Sequence, residues 1–333
     1  MTADRRRLDP VFPMGSFLLK RFLILLGTLW MVSLAIFVVL RIIPGDPAQI
    51  ILGIQATPES LQELRRRLGL DLPWALQYWI WIRQALQGDL GRSITYDLPI
   101  WSLIGSRFQV TLPLALLSML LAVAFSIPLG IYAARHRNRI GDYGVMVFSQ
   151  IGLAVPAFWA GILLILVFAV NLQWFSAGGF RPWAESPWGA LKSLLLPALS
   201  LGLIRGAVLA RQTRSSMLEI LNEDFIRTAR SKGLAENVVV YKHALRNSLI
   251  PIVTLMGLQM GELLAGAIVI ENVFHLPGLG RLLFLAIGQR DLPVVQGVSL
   301  VIASFIVMMN CLVDVLYGVI DPRIRTGKRK DRS

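Results

Sequence analysis

Phe22-Leu-Ile-Leu-Leu-Gly-Thr-Leu-Trp-Met-Val-Ser-Leu-Ala-Ile-Phe-Val-Val-Leu40 carries no charged side chain and is bounded by Lys20-Arg21 before it and Arg41 after it. A helix needs about 20 apolar residues to cross a hydrocarbon core of roughly 30 Å, so this block has the length and composition of a transmembrane helix. It does not read as a cleaved signal peptide. The apolar stretch is too long, and no small-residue cleavage site follows it. Instead comes Arg41-Ile-Ile-Pro-Gly-Asp-Pro47, which stops the helix.

Working outward, five more apolar blocks recur: Val110–Ala134, Tyr143–Asn171, Leu191–Gln212, Ser248–Asn272 and Val294–Ile320. The expected fold class is an all-α polytopic membrane protein of six transmembrane helices, with the membrane domain over residues 22–320. Pro113, Pro128, Pro156 and Pro197 fall inside these blocks, where neighbouring helices or water can satisfy the freed backbone groups. A composition of 55% hydrophobic and 16% charged residues over 333 positions excludes an ordinary soluble enzyme. The net charge of +13 does not point to nucleic acid, because the basic residues cluster at the ends of apolar blocks rather than on a soluble domain. With the N-terminus inside, segments 1–21, 135–142, 211–247 and 321–333 hold 21 of the 33 Lys and Arg residues. Their density there is about threefold that of the outer segments, as the positive-inside rule requires. Both termini are therefore expected in the cytoplasm, the last as a basic tail over 321–333. The lone Cys311 lies in an apolar run and reads as a buried, inert thiol.

The outer loop, 41–107, has local structure of its own. Thr57-Pro58-Glu59 predicts a helix start, with Thr as N-cap and Pro at the first helical position, and Gly69 its stop. Pro73 to Gln87 carries Trp74, Tyr78, Trp79 and Trp81 among polar residues, which fits either a helix lying at the membrane interface or one packed on neighbouring loops.

The inner loop, 213–247, carries the functional signal. It runs Thr213-Arg-Ser-Ser-Met-Leu-Glu-Ile-Leu-Asn-Glu-Asp-Phe-Ile-Arg-Thr-Ala-Arg-Ser-Lys-Gly233 and on to His243-Ala-Leu-Arg-Asn-Ser-Leu-Ile-Pro251. Asn222 is placed to cap a helix whose first turn holds Glu223 and Asp224, complementing the positive end of its dipole. Arg230 and Lys232 fall in its last turn, and Gly233 supplies the left-handed residue that ends it. Phe225, Ile226 and Ala229 share one face at helical spacing. Such an apolar face rimmed with charge reads either as a docking site or as a loop packed on its own membrane helices.

The Thr228-Ala-Arg-Ser-Lys-Gly-Leu234 run with the downstream His243-to-Pro251 stretch resembles the cytoplasmic loop signature of binding-protein-dependent ABC importer permeases of the dipeptide/oligopeptide branch. Pro44-Gly-Asp-Pro47, Gly88-Asp-Leu-Gly91, Pro277-Gly-Leu-Gly280 and Leu316-Tyr-Gly-Val-Ile-Asp-Pro322 match that branch in order and spacing. The resemblance covers about Leu18 to Arg325. The broader importer signature has Glu-Ala-Ala where this chain has Thr228-Ala229-Arg230, and a proline at Arg246; both departures are typical of the peptide branch.

The resemblance implies the type I ABC importer permease fold, a bacterial inner-membrane location and a peptide cargo, with glutathione, nickel complexes or glycosides as alternatives. It also implies a paralogous permease, two ABC ATPase subunits, and an extracytoplasmic substrate-binding protein as partners. The loop then acts as a coupling helix, with Asp224, Phe225, Thr228, Ala229, Arg230, Lys232, Gly233 and Leu234 meeting the ATPase. No cofactor is expected on this chain. ATP and Mg²⁺ belong to the partner subunits, in keeping with a sequence that has no Gly-x-x-x-x-Gly-Lys-Ser/Thr phosphate loop.

Two charges lie deep in expected spans, Arg205 in the fourth and Glu262 in the fifth. Each needs a partner or water. Both read either as lining a substrate pathway, Arg205 for a carboxylate and Glu262 for an ammonium, or as structural charges facing a partner permease. Each lies about 21 Å from an entry surface, and those surfaces are opposite, so a direct pair requires helix tilt and a long reach. Asp314 and Asn310 sit near the inner end of the last span, where snorkelling or inter-subunit bonds account for them. His136, His243 and His275 are scattered, which makes no metal site, and His275 reads as structural. The competing classes are an ATP-independent secondary transporter or channel, which would want coupling-ion residues or an inverted repeat, and a membrane-bound enzyme, which would want a catalytic cluster.

Overall fold

The computed structural model describes residues 14–42, 47–53, 56–67 and 69–320. The N-terminal residues 1–13, most of the Pro44-Gly-Asp-Pro47 motif and the basic tail 321–333 lie outside the described residues. Among the described residues the chain is helical with no strand beyond one isolated bridge, Arg92 to Pro99.

Among the described residues five helices are long and apolar enough to cross a membrane, and a bent pair passes the same test together, making six if that pair is one span. α1 (Met14–Ile42) is the opening block, and α2 (Pro47–Leu52), α3 (Pro58–Arg67) and α4 (Trp74–Leu86) make up the loop after it. α5 (Ile100–Arg135) follows, then the pair α6 (Ile140–Ala154) and α7 (Ala157–Leu164), the latter continuing as a π-helical stretch, Ile165–Asn171. α8 (Pro187–Leu221) leads to the short α9 (Asp224–Ser231) and α10 (Glu236–Val238), and a π-helical stretch, Val239–Ala244, feeds α11 (Leu245–Val273). α12 (Leu279–Gly288) and α13 (Leu292–Ile320) complete the described chain.

The expected continuous span Tyr143–Asn171 is corrected: α6 and α7 meet at 104°. Val155 sits at φ −87 and ψ 123, the extended conformation that the ring of a following proline imposes, so Pro156 breaks this helix. Pro113, Pro128, Pro197 and Pro251 sit within unbroken helices.

The order of contacts fixes how the spans run. A Cβ on Gly202 would lie 2.8 Å from the Ser118 carbonyl oxygen, and one on Gly130 2.5 Å from Thr213 Cβ, so α5 and α8 are parallel and nearly touch backbone to backbone. α6 is antiparallel to α8, with the Ser149 hydroxyl donating to the Ala207 carbonyl at 2.7 Å and Asp142 paired with Arg214. α11 is antiparallel to α8, with Ser248 beside Met217 and Gly266 beside Leu201. Gly257 against Val313 and Gly261 against Ile306 make α13 antiparallel to α11. Arg21 and Asp314 form an ion pair at 2.7 Å, which brings the start of α1 to the end of α13. Asp314, read from sequence as snorkelling or bonding between subunits, thus has a partner within its own chain.

α8 is the centre of this bundle. Leu194 and Leu201 pack there with Leu114, Leu263, Ile270 and Phe274 in the largest buried cluster. The most apolar stretch of α8 is 61% buried, against 11% for α1 and α13, which lie at the periphery. The outer-loop helices bear out their local signals. Thr57 Oγ1 accepts from the Ser60 amide while Ser60 Oγ accepts from the Thr57 amide, a reciprocal cap at the start of α3. Gly69, at φ +64, ends it. α4 packs on a membrane helix rather than on neighbouring loops: the Tyr78 hydroxyl hydrogen-bonds Ser33 of α1 at 2.8 Å beside the Phe37 ring, while Trp74 and Trp79 are exposed.

Candidate functional site

At one end of the bundle α9 forms an elbow with α10. Ile226 and Ala229 turn inward and are buried against Ile131 and Ala134 of α5, Met217 of α8, and Val239 and Val240 of the following π-helical stretch. Packing on the chain's own helices therefore accounts for the inner half of the apolar face. The other half remains open: Phe225 is 44% and Leu234 40% exposed, which corrects the grouping of Phe225 with the inward pair. Asp224 and Lys232 are exposed beside them, and Arg227 pairs with Asp224 at 3.4 Å in solvent. Thr228 Oγ1 donates back to the Asp224 carbonyl at 3.0 Å, so this hydroxyl is spent within the helix.

The elbow has a defined stop. Gly233 takes φ +75, its amide donates to the Arg230 carbonyl at 2.9 Å, and the Leu234 amide reaches the Ala229 carbonyl at 3.4 Å. These two bonds make a Schellman motif, which needs a left-handed residue at Gly233. Arg230 then spans the corner, Nη2 donating to Glu236 Oε1 at 2.8 Å and Nε to Oε2 at 3.2 Å. That two-pronged bond holds the guanidinium pKa above its ordinary value. The expected cap is corrected: Glu223 takes the N-cap position, and Asn222 ends α8, its side-chain amide donating to the Leu218 carbonyl at 2.8 Å. With α8 running to Leu221, Asn222 donates to a free carbonyl of that helix's last turn instead of accepting from the amides that open α9.

The two intramembrane charges are brought together. Arg205 Nη1 donates to Glu262 Oε2, and Nη2 lies 3.4 Å from the Glu262 carbonyl oxygen. The expected span ends hid this pairing because they are not level: Ser248, the expected start of the fifth span, lies beside Met217, five residues beyond the expected end of the fourth at Gln212. From that contact Arg205 is twelve residues back along α8 and Glu262 fourteen residues on along α11, about 18 and 21 Å, so the two side chains meet.

The opposite end of the bundle holds two buried carboxylates that the sequence reading passed over. Glu271, fully buried, accepts from Thr111 Oγ1 at 2.6 Å and from the Arg281 amide at 3.1 Å at the start of α12. Gly278 makes room for it, since a Cβ there would lie 2.1 Å from the carboxyl carbon. Asp291, 1% exposed, accepts from Ser93 Oγ and from the amides of Ile94 and Thr95, clamping the outer loop to the start of α13. The available signals were Asp291 directly before the Leu292-Pro293 helix start and Glu271 seven residues before Gly278. His275 is held by its backbone: φ is +53 and its carbonyl accepts from Arg281 Nη1 at 2.6 Å.

This architecture has relatives. Residues 126–326 match the family described as binding-protein-dependent transport system inner membrane component, and residues 14–115 match its N-terminal counterpart. The chain is 43% identical over 312 residues to a Brucella abortus protein named as a peptide transport system permease, covering 94% of this chain and 99% of that one. It is 45% identical, again over 312 residues with 94% and 99% coverage, to the glutathione transport system permease protein GsiC of Escherichia coli (strain K12). The family match spans well over half of the chain and agrees with the bundle of membrane-crossing helices: the chain belongs to the binding-protein-dependent transport system inner membrane components, the permeases of ABC importers.

Proposed function

We propose that this chain forms half of the pore of an ATP-driven importer of short peptides, working by alternating access in the bacterial inner membrane. Both termini and the α9 elbow face the cytoplasm, where 21 of the 33 Lys and Arg residues then fall. A paralogous permease completes the pore, and an extracytoplasmic binding protein delivers the cargo. Two ATPase subunits, which hold ATP and Mg²⁺, receive the elbow of each permease. The observation that carries this reading is the division of the elbow. Ile226 and Ala229 fasten it to the bundle, while Phe225, Leu234 and the charges around them are left outward for another protein. Displacement of a piece so fastened moves the ends of α5, α8 and α11 with it. Peptide cargo is favoured by the names of the two relatives, since glutathione is itself a modified tripeptide.

The test is a cross-link combined with transport. In a Cys311→Ser background, Leu234→Cys joined by a short bifunctional maleimide in the assembled transporter is expected to link to an ATPase subunit. Uptake of a tripeptide into proteoliposomes is expected to require ATP. Uptake driven by an ion gradient without ATP would instead identify a secondary transporter, and a Leu234→Cys that links only to permease chains would remove the docking role.

A further inference from the structure

The molecule contains an internal comparison between two ion pairs of the same kind. Arg214 and Asp142 are joined by two bonds, and the Asp142 side chain is 2% exposed: this pair is enclosed by its own chain. The Arg205 and Glu262 side chains meet through one guanidinium nitrogen and one carboxylate oxygen, with a second nitrogen on the Glu262 backbone carbonyl, and the Glu262 side chain is 63% exposed. Arg205 Nε and Glu262 Oε1 take no hydrogen bond among the described residues. Glu262 Oε1 is thus left open on a largely exposed side chain, midway along two membrane-crossing helices.

Its surroundings sharpen the point. Glu262 lies on an outward stripe of α11 with Leu258, Ala265 and Val269, all exposed and all uncharged. An open carboxylate there faces water or another polar group, because hydrocarbon would not tolerate it. Arg205 is the only ionisable residue of α8 between Lys192 and Arg211. One cation and one anion therefore meet on an otherwise apolar wall.

We propose that Arg205 and Glu262 together form a charge-paired subsite for a zwitterionic cargo, whose carboxylate takes Arg205 and whose ammonium takes Glu262 as the pair separates. Building on the importer reading above, this names the cargo class that the pathway selects, molecules with free amino and carboxyl termini. With no cargo, the two groups neutralise one another and the wall stays closed to single ions. A zwitterion exchanges one ion pair for two, so only cargo carrying both charges opens the site without leaving a charge unanswered.

The test uses the complete transporter in proteoliposomes, with tripeptide and glutathione as probes. Arg205→Gln and Glu262→Gln are each expected to reduce ATP-driven uptake at least tenfold at unchanged assembly. The double variant is expected to stay as low, because its two lost contacts are with cargo. A purely structural pair predicts the reverse, since removing both partners of a pair is far better tolerated than removing one. Recovery of uptake or assembly in the double variant therefore overturns the proposal. A second measurement leaves the pair intact: Ala265→Cys in the Cys311→Ser background should react with a charged thiol reagent, and tripeptide should slow that reaction at least threefold. A thiol that does not react, or that cargo fails to protect, overturns the proposal as well. Wild-type uptake that needs no ATP, or that is absent for both probes, would count against the importer or peptide reading instead.

Discussion

Charged side chains in this molecule differ in what they do according to how far the chain encloses them. Asp142 is 2% exposed and answered by Arg214 through two bonds, with the Asn138 amide adding a third. Asp224 and Arg227 are 95% and 73% exposed at 3.4 Å, a geometry that solvent screens almost completely. Arg214→Ala leaves a buried carboxylate without its counter-charge and is expected to cost about 3 kcal/mol or more. Arg227→Ala is expected to stay within about 0.5 kcal/mol. Thermal unfolding of the purified protein in detergent checks this, and equal shifts for the two variants would contradict it. The same contrast marks what sequence conveys at this scale. Arg205 and Glu262 stood out by their apolar neighbours, but their pairing depended on the register of α8 against α11, with Ser248 beside Met217 rather than level with Gln212. Glu271 and Asp291 were hidden because their partners, Thr111 and Ser93, lie far away in sequence and are donors of ordinary kind.

At the level of elements, signals that depend on a few adjacent residues were legible. The start of α3 at Thr57-Pro58, its end at Gly69 and the glycine corner after α9 each follow from a local backbone requirement. Asn222 belongs to the preceding helix because α8 runs nine residues beyond the expected span end at Gln212, which leaves Glu223 to open α9. Pro156 was visible, but whether a proline kinks or breaks a membrane helix depends on what packs beside it. The corner at Gly233 carries a prediction. A Cβ there meets nothing within 4 Å, so a substitution costs only the left-handed conformation, about 1–2 kcal/mol for Ala and more for a β-branched residue. Asn tolerates that conformation better. ATP-driven uptake at matched assembly should therefore fall in the order Gly, Asn, Ala, Val at position 233. Wild-type uptake for Gly233→Val would show that the elbow need not be held at this angle.

For the whole molecule, the decisive question is one of parity. The 104° bend between α6 and α7 permits two topologies, a bent crossing or a segment that returns to the side it entered from. The contacts between other helices decide between them. α5 and α8 run parallel, so the chain must come back to its starting end between them, and α6 with α7 is the only stretch that does so. Arg21 against Asp314 places the first and last spans antiparallel, which also needs an even number of crossings. Exposed thiols placed in the Cys311→Ser background test this directly. Ala177→Cys, after α7, and Ser231→Cys, on α9, should react with a membrane-impermeant maleimide from opposite sides of oriented vesicles. Ser231→Cys should react only when the reagent reaches the cytoplasmic face. Labelling of both positions from one side would mean that α7 turns back within the bilayer. The parallel packing of α5 on α8 would then be wrong, and with it the common end from which the elbow hangs.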